Sequence, residues 1–101
     1  KLLLNTSGDL SPSWLKAAGG KKIYAVDADH IAADCGLIFS GMPLVSSVML
    51  GALVRILKLA SPKLLESILR DSITQYKNEN IEGALQGYKE VEEVPQNAIL
   101  Q

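Results

Sequence analysis

Lys22-Ile23-Tyr24-Ala25-Val26-Asp27 is followed at once by Ala28-Asp29-His30-Ile31-Ala32-Ala33-Asp34-Cys35-Gly36. The first run keeps its apolar residues together instead of alternating them. That pattern suits a parallel strand covered on both faces. The second run predicts a helix over residues 29–35, closed by Gly36 as a glycine C-cap. A strand leading directly into a helix sets the class as α/β.

Upstream, Leu2-Leu3-Leu4-Asn5-Thr6 reads as a strand and Ser7-Gly8-Asp9 as a turn. Ser11 and Pro12 are a cap and first-turn pair for a short helix that Gly19-Gly20 ends. Strand, helix and strand make a compact crossover unit, and such units are almost always right-handed.

Downstream, residues 37–45 carry Gly41 and Pro43 and predict a loop or short extended piece. Ser46-Ser47 then precede a strongly apolar helix over 48–59, expected to be buried on most sides. Gly51 inside it calls for close approach of a neighbouring backbone. Ser61-Pro62 opens an amphipathic helix with Leu64, Leu65, Ile68, Leu69, Ile73 and Tyr76 on its apolar face. Asn80 is placed to cap a last helix over 81–93. Glu92 and Glu93 oppose the dipole at its end, so that end is expected to fray. Pro95 stops it, leaving residues 95–101 as a tail.

The chain has 101 residues, 10 Lys plus Arg, 11 Asp plus Glu and a net charge of -1. That length fits one domain at most. Near-zero charge argues against nucleic acid, which calls for a basic face. The apolar run Val48–Val54 is broken by Arg55 and Lys58, well short of the ~20 apolar residues of a membrane span. One cysteine excludes a disulfide framework and fits a cytoplasmic protein. Two strands leave most of the helical surface uncovered. Further strands, self-association or partner chains are therefore expected.

Few residues suggest chemistry. Gly19-Gly20-Lys21-Lys22 follows a helix and precedes a strand, the reverse of a phosphate loop. Asp27, Asp29 and His30 sit at the C-terminal strand edge, where open α/β sheets bind ligands. Capping of the helix by Asp27 or Asp29, with His30 in solvent, explains them more simply. Cys35 reads as a small buried apolar residue. Ser46 and Ser47 could offer hydroxyls and amides to an anionic group, or simply cap their helix.

Three segments, read in order, resemble one family. They are Asp27-Ala28-Asp29-His30-Ile31-Ala32, Val48-Met49-Leu50-Gly51-Ala52-Leu53 and Asn80-Ile81-Glu82-Gly83-Ala84-Leu85-Gln86-Gly87-Tyr88. The family is the gamma subunit or domain of the 2-oxoacid:ferredoxin oxidoreductases, pyruvate synthase and its relatives. Its members often carry Asn-Thr before Met-Leu-Gly-Ala, where this chain has Ser46-Ser47. The resemblance covers roughly residues 2–91.

The resemblance implies an open, Rossmann-like three-layer α/β sheet fragment with C-terminal helices. Residues 1–94 would be the C-terminal part of a gamma-type domain. It implies partnership with alpha-, beta- and delta-type subunits or domains of one enzyme. That enzyme uses thiamine diphosphate, magnesium, iron–sulfur clusters and coenzyme A, mainly held elsewhere. The gamma part would be noncatalytic alone, with Ser46 and Ser47 its candidate cofactor contacts. A small α/β interaction module without enzyme context is the alternative. Half of an unrelated dinucleotide-binding domain is disfavoured by the missing glycine fingerprint.

Overall fold

The computed structural model describes residues 1–7 and 12–95. Gly8, Asp9 and the cap expected at Ser11 lie outside the described residues, as does the tail beyond Pro95. The strand–helix–strand unit is present as β1 (Leu2–Asn5), α1 (Pro12–Ala17) and β2 (Ile23–Val26). The two strands are parallel, in register from Leu2 opposite Ile23 to Asn5 opposite Val26. Gly19 and Gly20 end α1 at φ 61° and 82°, a backbone region glycine enters without a Cβ clash.

A third strand corrects the expectation for the C-terminal end. Helix α5 (Lys77–Glu90) stops at Glu90, and β5 (Glu92–Glu93) pairs antiparallel with β2. The sheet order is β1-β2-β5. Val91 turns extended and is buried, and the Val94 amide donates to the Ile23 carbonyl at 2.8 Å. Pairing with β2 satisfies backbone groups that a frayed helix end leaves to water. It also removes two carboxylates from the negative end of the dipole.

Helix α2 (Ala28–Asp34) starts one residue before its expected bound, with Asp27 as its N-cap and Gly36 just beyond its end at φ 78°. The segment after it is a hairpin of β3 (Ile38–Phe39) and β4 (Met42–Pro43). Ser40 and Gly41, both at positive φ, form its two-residue turn, the geometry that matches strand twist.

Helix α3 (Ser46–Ile56) begins two residues earlier than expected and ends sooner. Ser46 and Ser47 are its first helical residues and do not cap it. Val45 holds the cap position and makes no side-chain cap bond. The helix is also less enclosed than its composition implied. Val48, Gly51, Ala52, Val54 and Ile56 are buried, but Leu50, Leu53 and Leu57 remain 41, 40 and 47% exposed. They lie on the side turned away from α5.

Helix α4 (Pro62–Ser72) has the expected start: Ser61 Oγ accepts from the Leu64 amide at 3.1 Å. Its buried face is narrower than expected. Leu65 and Leu69 are buried, Leu64 and Ile68 are half exposed, and Ile73 and Tyr76 fall past the helix end. Helix α5 starts at Lys77, so Asn80 lies inside its first turn and is not the cap. Tyr76 precedes it in the left-handed region at φ 50°.

The two faces of the sheet carry different layers. Leu3, Tyr24 and Val26 pack with Ile31, Val48, Ala52 and Ile56 of α2 and α3. Leu2, Leu4 and Ile23 face the opposite way, against Ala18 and Val94. A second cluster of Val54, Leu65, Leu69, Ile81 and Ala84 ties α3, α4 and α5 together. The chain is thus an α/β fold with a small sheet and a helical C-terminal part. None of its helices, among the described residues, is long and apolar enough to cross a membrane.

Candidate functional site

Helices α3 and α5 pack backbone against backbone. Ser47 Oγ donates to Asn80 Oδ1 at 2.5 Å near the start of both helices. One turn on, Gly51 lies against the backbone of Ala84, and a Cβ at Gly51 would fall on the Ala84 carbonyl. A further turn on, Arg55 Nη1 donates to the carbonyls of Tyr88 at 2.8 Å and Lys89 at 2.9 Å. The Ser47–Asn80 and Arg55–Tyr88 contacts each span 33 residues, so the two helices run parallel.

Each member of this ladder has a physical role. Gly87 lets Val48 approach, since a Cβ there would strike the Val48 carbonyl. Gly83 leaves room for Leu37 Cδ1 and Val48 Cγ2. Parallel helices place like dipole ends side by side, which is unfavourable. The Arg55 guanidinium offsets this at the C-terminal end of α5, where it also lies 5.7 Å from the Tyr88 ring centroid. Asn80 Nδ2 donates to the Gln75 and Tyr76 carbonyls and holds the tight turn before α5. Tyr88 Oη donates to the Ala60 carbonyl at 3.3 Å, fixing the α3–α4 connection.

Ser46 and Ser47 therefore differ. Ser46 is exposed on the first turn of α3. Ser47 is half-buried, with its hydroxyl committed to Asn80. First-turn amides of a helix have no intrahelical acceptor, and here no side chain at Val45 supplies one.

The strand-end residues are engaged in local structure. Asp27 Oδ1 accepts from the His30 amide at 3.2 Å. Asn5 bridges β1 to α2: its Oδ1 accepts from the Ala28 amide and its Nδ2 donates to Asp29 Oδ1, both at 2.9 Å. His30 Nε2 lies 3.1 Å from Asp34 Oδ2 on the exposed side of α2. This is the capping arrangement rather than a convergent acid–base group.

An open groove of about 260 Å³ separates α2 from α5 and is lined by Ile31, Asp34, Cys35, Glu82, Gln86 and Glu90. Cys35 is buried. Burial, and then the carboxylates of Glu82, Asp34 and Glu90, push its thiol above the ordinary value of 9.0. A protonated thiol is a poor nucleophile and a poor ligand. A lone cysteine does not fit an iron–sulfur cluster, which takes about four thiolates. Among the described residues no three His, Cys, Asp or Glu side chains converge to hold a metal ion.

The sequence alone pointed to Asp27, Ser61 and the need for close approach at Gly51. It missed the bridging role of Asn5, the Arg55 contact with α5 and the groove between α2 and α5. It also gave Asn80 the wrong role. Polar side chains at i and i+8 with a small residue between them at i+4 are the available signal. Ser47, Gly51 and Arg55 on one helix match Asn80, Ala84 and Tyr88 on the other.

Fold and site together define an α/β unit whose most constrained feature is a parallel helix pair. Residues 1–90 match the family model of pyruvate ferredoxin/flavodoxin oxidoreductase. The chain belongs to this family. No curated protein and no solved structure matches it.

Proposed function

We propose that the chain is a gamma-type piece of a 2-oxoacid:ferredoxin oxidoreductase. It shapes the active-site region for thiamine-diphosphate-dependent oxidative decarboxylation to acyl-coenzyme A, and partner subunits carry out the chemistry. Its partners are the alpha-, beta- and delta-type subunits or domains of the same enzyme, in the cytoplasm. The observation carrying this reading is the α3–α5 ladder. Two of the three motif segments that resemble the gamma family face each other across it, at Gly51 against Ala84. Exposed Leu50, Leu53, Leu57, Leu64 and Ile68 further support partner contact, because apolar surface of this kind marks interaction sites.

The same reading gives Ser46 a contact with an anionic group of coenzyme A at the first turn of α3. Ser47, held by Asn80, would orient that turn. The proposal is tested by co-expression of the chain with alpha-, beta- and delta-type subunits of a 2-oxoacid:ferredoxin oxidoreductase, followed by size-exclusion chromatography. Co-elution at fixed stoichiometry is expected. Elution of the chain alone, with the other subunits assembled without it, would overturn the assignment. For Ser46, Ser46→Ala in the assembled enzyme should raise the KM for coenzyme A several-fold and leave the KM for the 2-oxoacid unchanged. An unchanged coenzyme A KM removes the contact.

A further inference from the structure

We draw no further inference here: the strongest candidate, the apolar ridge of Leu50, Leu53 and Leu57 on the outer side of α3, speaks for partner contact in general, and nothing in the structure shows what covers it.

Discussion

Gly51 of α3 lies so close to Ala84 of α5 that no side chain fits between the two backbones. The hypothetical Cβ would sit 2.6 Å from the Ala84 carbonyl carbon and 3.0 Å from its Cα. Backbone atoms inside a helix cannot move aside as a flexible side chain can. This contact fixes the distance between α3, which places Val48, Ala52, Val54 and Ile56 in the core, and α5, which places Ile81 and Ala84 there.

Substituting Gly51→Ala should therefore separate α3 from α5. Overpacking typically costs about 1–3 kcal/mol, and a clash with backbone belongs at or above the top of that range. Gly87→Ala should behave alike, because its Cβ would meet the Val48 carbonyl. Gly20→Ala is the contrast: nothing lies within 4 Å, and only its φ of 82° opposes it. Its loss should stay near the ~1–2 kcal/mol of a left-handed non-glycine residue. Urea midpoints of the three variants check the order.

The Ser47–Asn80 bond should show energetic coupling. Ser47→Ala should cost about 1 kcal/mol, the net worth of one hydrogen bond. Asn80→Ala should cost more, since it also removes the donors to Gln75 and Tyr76. A double-mutant cycle should return at least about 0.5 kcal/mol of interaction. Simple additivity would show that the two side chains act independently.

Arg55→Ala should destabilise by about 1 kcal/mol, below the ~1.5–3 kcal/mol typical of hydrogen bonds made by a charged group, because both Arg55 bonds are open to solvent. Arg55→Lys should recover only part of this. Lysine keeps the charge near the α5 C-terminus but not the planar fork that reaches two carbonyls at once. Thermal midpoints of both variants provide the comparison.

The helix caps should be separable from the rest. Asp27→Ala and Ser61→Ala should each cost about 1 kcal/mol, while Asp27→Asn and Ser61→Thr should cost little. Hydrogen exchange should speed up at the His30 and Leu64 amides in the alanine variants. Unchanged exchange there would exclude a capping role.

Cys35 gives a pH prediction. Its folded pKa is raised, so the folded chain holds the thiol proton more tightly than the unfolded chain. The associated stability is present below the unfolded value, 9.0, and is lost as pH rises through the folded value. Stability should fall on the alkaline side of pH 9, and Cys35→Ala should flatten that slope. Iodoacetamide should label the native thiol slowly at pH 8 and the urea-unfolded thiol rapidly.

What was legible in the sequence was local. Asp27, Ser61-Pro62, Gly19-Gly20 and Gly36 act within a few residues of themselves, and each sits where its chemistry predicts. Helix starts without a side-chain cap were not legible. Val45 and Tyr76 make no side-chain cap bond, so the sequence pattern places the starts of α3 and α5 later, after the more familiar polar residues Ser46-Ser47 and Asn80. The remaining misses are long-range. Asn5 reaches Asp29 across 24 residues, and Arg55 reaches Tyr88 across 33. Glu92–Glu93 becomes a strand only because β2 has a free edge, which no local propensity records. The need for close approach at Gly51 was readable, but its partner was not.

The most direct test is 2-oxoacid-dependent reduction of ferredoxin or a viologen dye in the presence of coenzyme A. It compares complexes assembled from the accompanying subunits with and without this chain. The gamma-type role predicts that turnover and assembly both depend on the chain, and that Gly51→Ala weakens both together. Full turnover by a complex lacking the chain would contradict it.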